Sequence, residues 1–263
     1  MNDDARESAI VLKDMLKLSA LSQLRYPANI VGFVLISLFI FGFRFLFIDS
    51  LFEHSHQIGG WSELEMTTLV IMTIDISLLT APFYASINRF FLLVAKGEIE
   101  PFLMRPLSIP CLMALRWMQP AGFVLMLLLT PLCYWSLNNP PTLSHLQILA
   151  TLCAATLSVI GNLLVLTLLH LITFIIQRSV DADFIYSELY RFALIPPSVF
   201  SRRMGGHVLL LVPLLLSASA PAAILARGDY LWLGWQAVGV AITACIVAIA
   251  FRAAYRRFDG LGG

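Results

Sequence analysis

The sequence predicts an all-α integral membrane protein with six transmembrane helices, an N-terminal interfacial helix and cytoplasmic coupling helices. Three observations carry this expectation. Of 263 residues, 59% are hydrophobic and only 13% charged, with a mean hydropathy of +0.84, whereas a soluble domain carries about 25% charged residues. The apolar runs at 123–132 (FVLMLLLTPL) and 163–176 (LLVLTLLHLITFII) do not alternate in polarity, as the strands of a membrane β-barrel must. Helices satisfy their own backbone groups in hydrocarbon, so continuous apolar runs read as helical spans. Finally, basic residues crowd alternate connections between the runs.

Residues 1–28 come first. Positions 1–7 are acidic, and no short apolar core with a small-residue cleavage site follows, so a cleavable signal peptide is not expected. Over 7–25, Val11, Met15, Leu18 and Leu21 share one helical stripe while Arg6, Lys13, Asp14 and Lys17 lie off it. This fits an amphipathic helix resting in the membrane interface, or one packed on a partner protein.

The spans follow at about 29–48, 64–84, 112–137, 146–176, 207–225 and 231–251, each long enough to cross about 30 Å of hydrocarbon, for which roughly 20 apolar residues suffice. The fourth is long enough to tilt or project. Positions 138–141 (NNPP) and 226–230 read as tight turns. Trp61, Trp135, Trp232 and Trp235 fall near the outer boundary as an interface belt. No hydrophilic stretch is long enough for a second domain, so residues 1–263 form a single transmembrane domain.

Fifteen of the seventeen Lys and Arg residues fall on one side. They are Arg6, Lys13, Lys17 and Arg25; Arg89, Lys96, Arg105 and Arg116; Arg178, Arg191, Arg202 and Arg203; and Arg252, Arg256 and Arg257. Arg227 stands opposite, and Arg44 lies inside the first span. The excess of basic residues marks the cytoplasmic side, so both termini are expected there.

The four cysteines (Cys111, Cys133, Cys153, Cys245) sit in or beside apolar stretches and read as small buried residues. His54 and His56 have no third ligand near them, and no metal site is expected. Asp75 falls near the centre of the second span, where an acidic residue costs about 2.5–3.5 kcal/mol, so it should face the protein interior. Arg44, Asn162 or a partner subunit could answer it. His170 lies in the inner part of the fourth span. Asp75, Asn162, His170 and Arg44 are thus candidates either for a polar pathway or for interhelical hydrogen bonds. Pro120, Pro131, Pro213 and Pro221 are expected to kink their spans, and Gly122 and Gly161 to permit close helix contact.

Two connections on the basic side are more than turns. The stretch 88–111 has a break at Gly97, two carboxylates (Glu98, Glu100) and Arg105 before Pro106. The stretch 178–206 alternates Glu188, Arg191, Arg202 and Arg203 with aromatics. Neither is apolar enough to span nor polar enough to float. Both are expected on the cytoplasmic membrane face against another protein, as short rigid elements that transmit a push.

The run at 97–107, GEIEPFLMRPL, resembles a signature of bacterial six-span ABC transporter permeases of the type-2 exporter class, in which G-E-[IL]-x-x-[FL]-L-x-R-P-L follows the second span. The run at 190–201 and the end at 254–260 are similar to later segments of that family, the end departing where Asp259 stands in place of a serine. The resemblance implies a permease subunit of an ATP-driven exporter in the bacterial inner membrane, forming half of the translocation route among membrane lipids. It implies a second permease subunit, identical or related, and two copies of a separate ABC ATPase subunit that carry the ATP and Mg. It also implies that Gly97, Glu98, Ile99, Glu100, Phe102, Leu103, Arg105 and Pro106 form the ATPase-coupling region. One feature departs from the class, which often carries a re-entrant extracellular hairpin between its last two spans. The connection at 226–230 is too short for one unless Pro221 breaks the fifth span.

The residues agree with a chain that has no catalytic site or cofactor of its own. There is no G-x-x-x-x-G-K-[ST] phosphate loop, and Lys13, Lys17 and Lys96 are the only lysines. HExxH, G-x-S-x-G and paired intramembrane aspartates are missing as well. Nothing suggests a nucleic-acid partner. The alternatives are an ATP-independent secondary carrier, which often shows internal repeats that 1–137 and 138–263 do not, and a structural subunit of a membrane complex.

Overall fold

The computed structural model describes residues 13–14, 17–19, 21, 23, 25, 27–99, 101, 108–135, 143–176, 181–196, 198–199 and 212–256, with backbone alone at 173–176 and 255–256. Among these the fold is helical throughout, apart from an isolated bridge between Ile58 and Trp61. The helices are α1 (Pro27–Phe52), α2 (Glu63–Ala95), α3 (Ile109–Leu115), α4 (Ala121–Trp135), α5 (His145–Ile176), α6 (Ala182–Tyr190), α7 (Pro213–Leu216), α8 (Ser219–Arg227) and α9 (Leu231–Arg256). A 3₁₀ turn, Arg191–Leu194, continues α6.

Four helices are long and apolar enough to cross a membrane: α1, α2, the 145–172 part of α5, and α9 up to Ala254. They overlap the first, second, fourth and sixth sequence spans, three of them within a few residues, whereas α2 continues to Ala95, well past the expected end at 84. The third span divides into α3 and α4 at 116–120, and α4 alone has 15 residues, about 22 Å at 1.5 Å per residue.

Helix α2 is the axis of the bundle. In its most apolar window 72% of residues are buried, against 11% for α1. Its 33 residues run about 50 Å through two apolar clusters. Near one end Trp61, Leu69 and Val70 pack with Leu125, Leu129 and Ala222. Near the other Ile87, Phe90 and Val94 pack with Leu112, Leu166 and Leu214. The first end is called the turn end below, and the second the basic end, because Arg89, Lys96 and Arg116 lie around it. The outer faces of α1, α4, α5 and α9 expose Phe39, Leu127, Leu149 and Ile249 among many large apolar residues, the inverse of a soluble protein and the pattern of a bundle in lipid. Cys153 and Cys245 are exposed on these faces, so they are not the small buried residues expected from their apolar context.

At the turn end, Arg227 closes the bundle. It donates from Nε to Glu65 Oε1 at 2.5 Å and from Nη2 to Glu65 Oε2 at 2.6 Å, adds a bond to the Gly60 carbonyl at 2.7 Å, and lies 4.9 Å from the Trp61 ring centroid.

The region between α5 and α9 corrects the sequence reading. The 178–206 stretch was expected on the cytoplasmic face, yet its described part packs along α2 from Tyr84 to beyond its first residue. Asp183 receives a 2.9 Å hydrogen bond from Tyr84, and Tyr190 donates at 3.2 Å to the carbonyl of Thr73, nearer the start of α2 than its end. Ser198 donates to the Gly59 carbonyl at 2.6 Å at the turn end. The expected span at 207–225 lies in part outside the described residues. Its remainder is two short helices, α7 and α8, meeting at Ser217 and Ala218. They start beside Gly161, half-way along α5, and finish at Arg227, so they traverse only half of the bundle.

Of the prolines expected to kink spans, only Pro131 stands inside a helix. Pro120 precedes α4, Pro213 opens α7, and Pro221 sits in the first turn of α8, where a proline costs no intrahelical bond. Pro82, which the sequence reading passed over, lies inside α2. Both close contacts expected of glycine are present. A Cβ on Gly122 would lie 2.5 Å from the Leu78 carbonyl, and one on Gly161 2.6 Å from Pro213 Cβ.

Candidate functional site

Two regions concentrate the polar chemistry. The first is where α2 ends. Gly97 has φ +72°, a left-handed conformation that costs an L-residue about 1–2 kcal/mol. Gly97 N–H donates to the Val94 carbonyl at 3.1 Å and Glu98 N–H to the Leu93 carbonyl at 2.9 Å. This pair of bonds is a Schellman cap, which satisfies the last carbonyls and turns the chain sharply. The turn drives Ile99 back into the core beside Val94 and Leu112, leaving it 1% exposed, while Glu98 faces outward. Of the residues expected to couple, Gly97, Glu98 and Ile99 are therefore placed. Glu100, Phe102, Leu103, Arg105 and Pro106 lie outside the described residues.

His170 stands nearby. Its Nε2 is 2.8 Å from Asn88 Oδ1 and 3.9 Å from Asp183 Oδ1, and its ring stacks on Phe91 at 4.7 Å. With Tyr84 bonded to Asp183 and 5.4 Å from the Tyr186 ring, this cluster fastens α6 to α2 and α5.

The second region is a polar seam through the apolar interior. Asn162 Nδ2 donates to Ser217 Oγ at 3.1 Å, and Ser158 Oγ donates to the Ser217 carbonyl at 2.5 Å. Gln236 Nε2 donates to Ser158 Oγ at 2.6 Å and to the Ala154 carbonyl at 3.1 Å. All four residues are fully buried, so α5, α9 and the junction of α7 with α8 are tied by side chains exactly where the α7–α8 backbone breaks. Among the described residues, Asn162 Oδ1 and Gln236 Oε1 accept no hydrogen bond. Ser158, Ser217 and Gln236 escaped the sequence reading because serine and glutamine inside an apolar run carry no charge to flag them.

Asp75 is answered by neither Arg44 nor Asn162. Its carboxylate accepts a 2.5 Å hydrogen bond from Thr130 of α4, and Asn162 belongs to the seam. Arg44 lies beside Tyr190, its Nη1 buried and donating no hydrogen bond to any of the described residues. The four intramembrane candidates therefore occupy separate places and form no single site.

One charged pair is exposed half-way along the bundle. Arg191 Nη1 lies 3.1 Å from Glu188 Oε2, with side-chain exposures of 74% and 39%. Both flank Tyr190, whose hydroxyl meets the Thr73 carbonyl of α2.

The sequence pattern that defines the ABC-2 family transporter proteins matches residues 38–262. The chain belongs to that family. The match takes in the α2 cap, the seam and the Glu188–Arg191 pair, and begins after the interfacial stretch. No curated protein and no solved structure matches the chain. As an ABC-2 permease it is an integral membrane component of an ABC transport system, and in such components the nucleotide chemistry belongs to an ATPase partner.

Proposed function

We propose that this ABC-2 permease is one half of the translocation route of an exporter in the bacterial inner membrane, driven through the stretch 97–107 by a separate ABC ATPase. Two ATPase copies, holding ATP and Mg, would dock at the basic end, and a second permease, identical or related, would complete the route. The observation that carries this reading is the α2 cap. A load applied at the exposed Glu98 reaches α2 through a turn whose next residue, Ile99, is wedged in the core, and α2 is the most buried helix of the bundle. A flexible tail would dissipate that load, whereas a capped and wedged turn passes it to the axis.

Six crossings follow if 181–199 supplies the fifth and 213–227 the rising limb of a hairpin that enters from the outside. That hairpin would be the re-entrant element the short 226–230 turn left no room for. The Glu188–Arg191 pair supports it. At mid-depth, charges facing lipid are expensive, so this face of α6 is better placed against the aqueous route and the second permease. Arg25, Arg89, Lys96, Arg116 and Arg252 still gather at one end, which supports cytoplasmic termini. Purification of the tagged chain from native membranes tests the reading. An ABC ATPase should co-purify, and a chain that transports alone in proteoliposomes would mark an ATP-independent carrier instead.

A further inference from the structure

Arg44 stands on the inward stripe of α1, between the buried Phe41 and the buried Ile48. Phe52, eight residues on, ends the helix, so Arg44 lies about 12 Å inside the turn end of the span. Its Nη1 is buried and meets no acceptor among the described residues, while the side chain as a whole is only partly covered. Tyr190 stands beside it, but the Tyr190 hydroxyl spends its proton on the Thr73 carbonyl and also meets the Ser217 hydroxyl. Tyr190 therefore offers Arg44 a lone pair and no charge. No carboxylate stands within the span to offer one. Asp75 is held by Thr130, and Glu188 by Arg191. Every other aspartate and glutamate falls, in sequence, before α1, after α9, in the end turns of helices or in the connections between them.

A charge inside a span is expensive, and arginines there pair with an opposite charge or mark a ligand's path. With no carboxylate at hand, the counter-charge comes with a ligand. We propose that Arg44 holds the anionic head, a carboxylate or a phosphate, of an amphiphilic cargo. This rests on the exporter reading above and names the class of molecule that the route admits. Either head takes two parallel bonds from one guanidinium. A small free anion would shed its water for a single cation among Phe41, Phe45 and Ile48, and desolvation of that kind is costly. An apolar tail offsets the cost, because the tail itself gains by leaving water. A resident phospholipid keeps its phosphate in the headgroup layer outside the hydrocarbon, whereas Arg44 lies about 12 Å further in. Among the described helices α1 rests chiefly on α2, which leaves the uncovered part of Arg44 within reach without opening the core.

The test is photolabelling of the full-length chain in phosphatidylcholine nanodiscs with a diazirine-bearing palmitate and with its methyl ester, the adducts being mapped by peptide mass spectrometry. The wild type should give saturable palmitate adducts on α1 and on 181–199, displaced by dodecyl phosphate and not by inorganic phosphate, and the ester should give none there. R44Q should weaken the saturable labelling about tenfold, the loss of one charge-assisted contact. R44K should keep part of it, and R252Q, which removes an exposed charge at the basic end, all of it. Ile40→Glu, at an exposed position, sets a carboxylate four residues before Arg44 on the same helix face. It supplies the counter-charge from within and should block labelling even if R44Q fails to fold. Labelling unchanged in both R44Q and Ile40→Glu overturns the site, and equal labelling by the ester overturns its selection of charge. Displacement by inorganic phosphate at equal concentration overturns the amphiphile. In the complex purified with its ATPase, palmitate or dodecyl phosphate should stimulate ATP hydrolysis in the wild type and not in R44Q; binding without stimulation by either overturns the role as cargo. Failure of an ATPase to co-purify would count against the exporter reading, whereas saturable labelling that R44Q abolishes would still establish the anion site.

Discussion

The hydroxyl of Tyr190 donates to the Thr73 carbonyl across 3.2 Å, in the first half of α2. A residue expected in a cytoplasmic loop is thereby fixed against the central helix of the bundle. Ser198 at Gly59 and Asp183 at Tyr84 extend the same segment from the turn end toward the basic end.

This placement sets an accessibility expectation. In a chain whose four cysteines are replaced by serine or alanine, a cysteine at Ser198 should react with a membrane-impermeant maleimide from outside intact cells. A cysteine at Glu98 should react only after the cells are opened. If Ser198→Cys is labelled only in opened cells, the segment returns to the cytoplasmic face.

Legibility of the sequence followed the energetics. Continuous apolar runs specify helices in lipid with little ambiguity, so α1, α5 and α9 were read within a few residues, and α2 at its start, while residues 85–95 were left to the following connection although they continue the helix. The 181–199 segment packs along α2 although Asp181, Asp183, Glu188 and Arg191 lower its hydropathy, which is why the sequence placed it on the cytoplasmic face. Such charges are tolerated at depth when other protein or water covers them, and a sequence shows the charge but not the cover. The α7–α8 pair was legible as apolar but not as two short helices, and its residues are apolar because they fill the centre of the bundle. Asp75 was recognised as needing an interior partner, but Thr130 is uncharged and 55 residues distant, so nothing marked it.

Asp75 and Thr130 form a tie between α2 and α4, and their energies should be coupled. D75N keeps an acceptor and should assemble as the wild type does. D75L and T130V should each destabilise the purified chain. In a double-mutant cycle measured by denaturant unfolding in detergent, their coupling should be about 0.6–1.7 kcal/mol. Strict additivity would show that the bond contributes nothing.

Gly97→Val forces a β-branched residue into a left-handed conformation. It should cost about 1–2 kcal/mol of stability. Its larger effect should fall on coupling, with ATP hydrolysis by the assembled transporter continuing while cargo efflux falls. Parallel loss of hydrolysis and efflux would show that the cap serves docking instead.

Arg227 and Glu65 hold the turn end by a two-pronged, partly exposed pair. R227M should lower stability by about 1 kcal/mol, within the range for exposed pairs and weakened by salt. R227K, which cannot form the fork, should recover less than half of the loss. Thermal unfolding in low and high salt reads both effects.

A leucine at Gly161 would drive into Pro213, whose Cβ already stands 2.6 Å from where a Cβ would lie. Overpacking of this kind costs about 1–3 kcal/mol. It should separate Asn162 from Ser217 and expose the seam, seen as faster amide exchange at 214–219 than at 66–74 of α2.

The central claim is that a separate motor pushes on the segment behind the Gly97 cap. A photo-crosslinking amino acid placed at Glu98 in the full chain, illuminated in native membranes, tests it most directly. The account predicts an adduct with an ABC ATPase that a crosslinker placed at Phe39, on the lipid-facing side of α1, does not form. Equal yields from both positions, or an adduct at Glu98 with lipid alone, would contradict it.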